Sequence, residues 1–191
     1  MIYDYIMGAC WLAFVVFWVV TSIGIKKDAS RYGSAWFSVG IRLLIAVSIV
    51  VVLRVPYIRN VVLTGIHRFA MNHPAIQAAG AALCVIGLAL ALWARTLLGT
   101  NWSGRPATKT GHELVTSGPY RVIRHPIYTG MLTMMLGTAF IAGAPGLLVL
   151  VAFSAIVAYR VRVEERLMQQ LFPDAYPEYR GRTRALIPFI L

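Results

Sequence analysis

Residues 118–128 read Gly-Pro-Tyr-Arg-Val-Ile-Arg-His-Pro-Ile-Tyr and run directly into an apolar stretch from Thr129 to Ala144. Arg124 and His125 can donate hydrogen bonds to anions, and Tyr128 adds a phenol. Pro126 suits the first position of the helix that follows, where its missing N–H is no loss. The N-terminus of that helix supplies further backbone donors and the positive end of a dipole. Ionisable groups are costly at membrane depth and there point to function. The pattern therefore predicts a site for an anionic group. The plainer alternative is that Arg121 and Arg124 only anchor a helix end at a membrane face.

A second charged cluster, Arg160-Val161-Arg162-Val163-Glu164-Glu165-Arg166, follows a later apolar run. Adjacent carboxylates there can hold an ammonium or sulfonium group. Arg160 and Glu164, four residues apart, share a helical face, so the spacing alone favours local ion pairing on a solvated helix end. The segment Gly111-His112-Glu113-Leu114-Val115-Thr116-Ser117-Gly118-Pro119-Tyr120 is rich in turn formers and suits close approach of backbone to a ligand or an ordinary connector. Leu98-Gly99-Thr100-Asn101-Trp102-Ser103 carries an interfacial tryptophan. The tail, Phe172 to Arg182 and then Ile187-Pro188-Phe189, has an aromatic and basic mixture able to fold back over a site.

These clusters need a frame, and the composition says which kind. The chain has 191 residues, 59% hydrophobic and 13% charged, with a mean hydropathy of +0.70. Soluble domains carry about 25% charged residues, so the polar surface is too small for a water-soluble globule. Spanning helices need about 20 apolar residues. Ile6–Ile25, Ala35–Val55 and Ala75–Leu98 meet that length. Tyr128–Ala142 and Gly146–Tyr159 are shorter and form a hairpin about Gly143-Ala144-Pro145-Gly146. The expectation is an all-α integral membrane bundle of about five transmembrane helices in a single domain, residues 1–191. Residues 1–98 hold the first three helices. Residues 99–191 hold the site, with a transmembrane hairpin over 128–163 and a cytoplasmic tail. Residues 57–72 read as an interfacial helix or a loop. The first apolar run lacks the basic start and the cleavage site of a signal peptide, so a retained helix is expected.

The net charge of +11 suggests nucleic acid until its placement is considered. The basic residues gather at the ends of apolar runs instead of along one stripe, so no nucleic-acid partner is expected. Most lie after the first, third and fifth runs, which places the N-terminus outside and the C-terminus in the cytoplasm. Cys10 and Cys84 sit within apolar runs as small hydrophobes. The four histidines do not have metal-ligand spacing, and no metal is expected. There is no glycine-rich dinucleotide fingerprint and no P-loop.

Taken together, the motifs resemble those of the isoprenylcysteine carboxyl methyltransferases and their phospholipid methyltransferase relatives. The matching residues are Leu114-Val115-x-x-Gly118-Pro119-Tyr120, then Arg124-His125-Pro126-x-Tyr128-x-Gly130. After the hairpin come Glu164-Glu165, Phe172, Tyr176, Tyr179, Arg182 and Ile187-Pro188-Phe189-Ile190. The resemblance covers roughly the C-terminal half. It implies a cytoplasmic pocket for S-adenosyl-L-methionine built without a Rossmann domain from the loop, the last helices and the tail. Its cofactor-binding residues would be His112, Leu114, Val115, Gly118, Tyr120, His125, Pro126 and Tyr128, with Glu164 or Glu165 on the ammonium. Its catalytic residues would be Arg124, Arg182 and Glu164.

The implied reaction is methyl transfer to a carboxylate of a lipid-like or prenylcysteine-like acceptor that enters from the bilayer, with an amine of a phospholipid or a thiol as alternatives. Displacement at a methyl group depends above all on orientation. A carboxylate acceptor needs an arginine to aim it, an amine needs a base and a thiol needs activation. The location would be the plasma (inner) membrane of a prokaryote or the endoplasmic reticulum of a eukaryote. More distant readings are a sterol-reductase-like enzyme using NADPH and a non-catalytic membrane lipid-binding protein.

Overall fold

A computed structural model describes residues 2–21, 28–31, 73–99, 107–109 and 114–186. Within these lie five α-helices: α1 (Ile2–Thr21), α2 (Pro74–Leu98), α3 (Pro126–Ala142), α4 (Ala144–Leu171) and α5 (Ala175–Arg182). A short two-stranded antiparallel ribbon adds to the helical frame. It pairs β1 (Asp28–Arg31) with β2 (Ala107–Lys109), Asp28 opposite Lys109 and Arg31 opposite Ala107. The helices α1, α2 and α4 are long and apolar enough to cross a membrane, and α3 is a shorter apolar helix of 17 residues. The expected second span, Ala35–Val55, and the 57–72 segment lie outside the described residues.

Local chemistry sets the helix boundaries. Proline opens α2 and α3, where its fixed φ favours the helix and no hydrogen bond is lost. Gly143 separates α3 from α4 at φ +71°, a conformation open to glycine without strain. Its N–H still donates to the Ala139 carbonyl at 2.8 Å, which closes the last turn of α3. At the other end of α4, Phe172 N–H donates to Met168 O at 2.9 Å, and Pro173 follows. A residue before proline is biased away from the helical region, which ends the helix.

The helices α2 and α3 pack as an antiparallel pair along a seam of small residues. A Cβ on Gly87 would stand 2.5 Å from the Gly130 carbonyl oxygen, and one on Gly80 would stand 2.7 Å from that of Gly137. The partners are seven residues apart on each helix and run in opposite directions. Such seams let backbones approach where lipid removes the hydrophobic drive for association. Cys84 and Met134 fill the space between the glycine pairs, and Cys10 and Phe14 of α1 join them in one apolar cluster.

The first helix is held more lightly. Trp11 Nε1 donates to Thr138 Oγ1 at 3.0 Å. At its end, the buried Arg95 of α2 donates from Nη2 to Thr21 O at 2.5 Å and from Nη1 to Gly99 O at 2.8 Å. A cation there meets the negative ends of two helices at once. The C-terminal ends of α1 and α2 therefore lie at the same level and the two helices run parallel. The outer faces, including Leu12, Val16 and Val20 of α1 and Leu148 and Val151 of α4, are exposed and apolar, as a lipid-facing surface requires.

Candidate functional site

The site is assembled where α3 begins and α4 ends. The 28 residues of α4 extend about 42 Å at 1.5 Å per residue, longer than the roughly 30 Å hydrocarbon thickness. Its apolar part ends at Tyr159, so the turns carrying Arg160, Glu164 and Glu165 project past it. Opposite them, a 3₁₀ turn (Gly118–Arg121) delivers the chain to the first residues of α3. Tyr120 N–H donates to Ser117 O at 3.1 Å and Ile123 N–H to Pro119 O at 3.0 Å, so the turn is closed by its own backbone. Gly118 has φ +58°, and a Cβ there would strike the Leu97 side chain.

His125 stands at the centre. Its Nδ1 is 3.6 Å from Glu164 Oε2 and its Nε2 is 3.5 Å from Glu165 Oε1, with only 9% of the side chain exposed. Burial by itself would lower the pKa of this imidazole. The carboxylates of Glu164 and Glu165 outweigh burial and hold it above the ordinary histidine value. Tyr128, one turn into α3, donates its hydroxyl to Glu164 Oε1 at 2.6 Å and stacks near the His125 ring. Arg160 reaches the same Glu164 oxygen at 3.3 Å. Both glutamates thus receive positive or hydrogen-bonding partners, which favours their charged form.

Arg124 ties the cluster to the tail. Its Nε donates to Glu165 Oε1 at 2.6 Å, and its Nη1 donates to Thr183 O at 2.6 Å and to Arg180 O at 3.2 Å. Residues 183–186 lie as a strap along 122–125. Arg184 N–H donates to Val122 O at 3.0 Å, Arg124 N–H to Arg184 O at 2.8 Å and His125 N–H to Ala185 O at 3.0 Å. Thr129 Oγ1 adds a bond to Leu186 O at 2.6 Å. Tyr179, whose phenol burial pushes up to about 12, donates its hydroxyl to Tyr120 O at 2.8 Å. The turn, the start of α3, the end of α4 and the tail are therefore one connected unit.

The structure brings together Tyr120, Arg124, His125, Pro126, Tyr128, Glu164 and Glu165 of the residues singled out in the sequence. Pro126 is buried as the first residue of α3. Leu114, Val115 and Gly118 lie half-buried in the segment leading to the turn. His112 lies outside the described residues, as do Trp102 and the Ile187-Pro188-Phe189 end. Arg182 stands apart from the cluster. Its guanidinium is 59% exposed and pairs with Glu178 at 3.4 Å on the outer face of α5. Arg180 faces the cluster instead, with Nε 3.5 Å from Glu165 Oε2.

Sequence reasoning did not single out Arg180 or Thr183. A signal for both exists in the helical period. Tyr176, Tyr179 and Thr183 are all buried, at the three- and four-residue spacing of one face. Arg180 borders that face on one side, and Arg182, roughly 200° from Arg180, points to the other side of the helix.

An apolar helical bundle with a half-buried His–Glu–Glu–Arg cluster at one end defines a helical integral membrane protein with a charged site at the end of its bundle. A model of the phospholipid methyltransferase family matches residues 75–175, and the chain belongs to that family. It is 36% identical over 83 residues to protein-S-isoprenylcysteine O-methyltransferase B of Arabidopsis thaliana, covering 41% of this chain and 41% of that protein. The cobalt-zinc-cadmium resistance protein CzcN of Cupriavidus metallidurans is 32% identical over 108 residues, covering 56% of this chain and 48% of that protein. The chain thus spans under half the length of these curated relatives. A solved structure of the eukaryotic intramembrane Ras methyltransferase, isoprenylcysteine carboxyl methyltransferase, matches with a TM-score of 0.57 at 24% identity. That match covers 71% of this chain and 53% of the other, and it places the fold.

Proposed function

We propose that the chain is a membrane methyltransferase that uses S-adenosyl-L-methionine to esterify a carboxylate of a lipid-like or prenylcysteine-like acceptor. The observation that carries this reading is the His125 cluster with its two glutamates, set at the end of an apolar bundle. Family membership and the isoprenylcysteine methyltransferase relatives support the same reading. The cofactor fits the residues present on two counts. It bears an ammonium, a carboxylate and a sulfonium, and the cluster offers carboxylates beside arginines. His125 Nε2, 3.5 Å from Glu165 Oε1, also lacks a well-formed hydrogen bond, so the cluster retains polar capacity for a ligand atom.

The cofactor when bound supplies an electrophilic methyl group. Glu164 or Glu165 would hold its ammonium, and Tyr128 and His125 fix the direction in which those carboxylates point. The turn at Gly118–Tyr120 and the segment with Leu114 and Val115 line its approach. Arg124 keeps the tail folded over the site. Water is excluded by the strap of residues 183–186 and by the bundle beneath, and a dry site favours loss of charge on the reacting groups. The acceptor enters sideways from lipid. Residues 1–98 serve as scaffold and 99–191 as the working part, with the N-terminus outside and the C-terminus in the cytoplasm.

A carboxylate acceptor agrees better with this geometry than an amine. An amine must lose a proton to a base, and both glutamates are engaged by cations or hydrogen bonds that weaken them as bases. The family description, phospholipid methyltransferase, keeps the amine as the second reading. The test uses purified protein in detergent, titrated with S-adenosylhomocysteine and then incubated with labelled cofactor and either a small prenylcysteine or phosphatidylethanolamine. Label lost to mild alkali marks an ester, and alkali-stable label marks an amine. Folded protein that binds no S-adenosylhomocysteine would sink both readings.

A further inference from the structure

We propose that Arg180 is the residue that grips a carboxylate at this site, an inference that rests on the methyltransferase reading above. Arg162 and Arg166, beside the glutamates on α4, are exposed; the four other arginines near the glutamates in sequence or space differ in their surroundings. Arg124 is 8% exposed and is tied by Nε and Nη1 to Glu165, Thr183 and the Arg180 carbonyl. Arg160 is paired with Glu164 on its own helix. Arg182 is turned outward onto Glu178. Among these described residues, Arg180 combines an ion pair to the cluster with a half-exposed guanidinium. Its side chain is 54% exposed and approaches Glu165 Oε2 through Nε at 3.5 Å, an ion-pair distance too long for a strong hydrogen bond.

Its backbone is nonetheless fixed. The Arg180 carbonyl accepts from Arg124 Nη1, and the neighbouring Tyr179 hydroxyl is bonded to Tyr120 O. A rotation about side-chain bonds is therefore enough to turn the guanidinium from Glu165 toward an incoming group. An ammonium that takes up Glu165 would release Arg180 at the same moment. The released fork is then matched in geometry and charge to a carboxylate. A zwitterionic ligand makes this exchange complete, with its positive end on Glu165 and its negative end on Arg180. The carboxylate has two possible sources, the amino-acid part of the cofactor and the acceptor.

The test compares the full chain with Arg180→Gln and Arg180→Lys variants in detergent, with Arg166→Gln as a control for loss of one exposed charge. Calorimetry measures the affinity for S-adenosylhomocysteine and for 5′-methylthioadenosine, which lacks the amino-acid part. Steady-state assays measure KM for a small prenylcysteine. If the cofactor is the source, Arg180→Gln weakens S-adenosylhomocysteine about tenfold or more and leaves 5′-methylthioadenosine unchanged. If the acceptor is the source, both nucleosides bind as before and the acceptor KM rises by a similar factor. In either case Arg180→Lys restores part of the loss, and the melting temperature matches that of Arg166→Gln. Unchanged nucleoside affinity together with unchanged KM overturns the proposal, as does equal weakening of both nucleosides. A wild-type protein that binds no S-adenosylhomocysteine fails at the earlier reading instead.

Discussion

His125 has a carboxylate on each side of its ring, and that placement makes its proton part of the fold. Its folded-state pKa lies above the unfolded value of about 6.5. The linkage then has one sign: its contribution is fully present below that unfolded value and is lost as pH rises through the folded value. The melting temperature in detergent is expected to fall between neutral and alkaline pH, and His125→Gln is expected to flatten that slope. A wild-type melting temperature that rises over the same interval would contradict this. Tyr128 gives a second prediction at this scale. Tyr128→Phe removes the 2.6 Å bond to Glu164; a hydrogen bond to a charged group contributes about 1.5–3 kcal/mol. Affinity for S-adenosylhomocysteine is expected to drop roughly tenfold or more, with the melting temperature less affected, as calorimetry and thermal scans would show.

Helix pairing depends on what is absent from side chains. Gly80 and Gly87 of α2 meet Gly137 and Gly130 of α3 with backbone as the neighbour on both sides. Backbone cannot rotate away as a side chain can, so the added methyl of Gly87→Ala must push the helices apart. A cost of about 1–3 kcal/mol is expected from overpacking, read as a lower melting temperature. Gly8→Ala on α1, with nothing within 4 Å of the new carbon, is the contrasting case and is expected to cause no loss. The tail is an element of a different kind. Thr183 is buried, donates to Tyr179 O at 2.6 Å and receives Arg124 on its carbonyl. Thr183→Val leaves the Tyr179 carbonyl without this donor, and faster cleavage of the tail in limited proteolysis is the expected outcome.

At the scale of the molecule, two polar links among the described residues tie the helix ends to each other and to the site. Arg95 connects the ends of α1 and α2, and Tyr120, one turn from the cluster, reaches Ala94 O at 3.4 Å. Arg95→Met keeps an unbranched stem but leaves the Thr21 and Gly99 carbonyls without its hydrogen bonds. Buried carbonyls that lose a donor cost about 1–3 kcal/mol each. Loss of α1 packing is the expected result, visible as earlier thermal unfolding and as new protease cuts within 2–21. Ligand affinity is expected to change less, because α3, α4 and α5 carry the cluster.

Periodicity and composition were sufficient to identify the apolar helices, since burial in lipid demands length and hydrophobicity over a continuous run. Ala75–Leu98 and Tyr128–Ala142 therefore coincide closely with α2 and α3, while the first helix begins earlier than its apolar count suggested and α4 continues to Leu171, past the expected end at Tyr159. The sequence also singled out Arg124, His125, Tyr128, Glu164 and Glu165 as candidates, through the order and spacing of the family motifs, since charges beside a span are equally explained by anchoring and local ion pairs. What the linear order could not contain was pairing. His125 lies between Glu164 and Glu165 only because α4 returns antiparallel to α3 and extends beyond the apolar region. Arg180 faces the cluster and Arg182 faces away only because the face bearing Tyr176, Tyr179 and Thr183 docks against the turn. Residue type and spacing determined which groups were available for chemistry; the packing of α3, α4 and the tail decided which of them meet, since contacts between residues some forty to sixty positions apart depend on how whole elements dock.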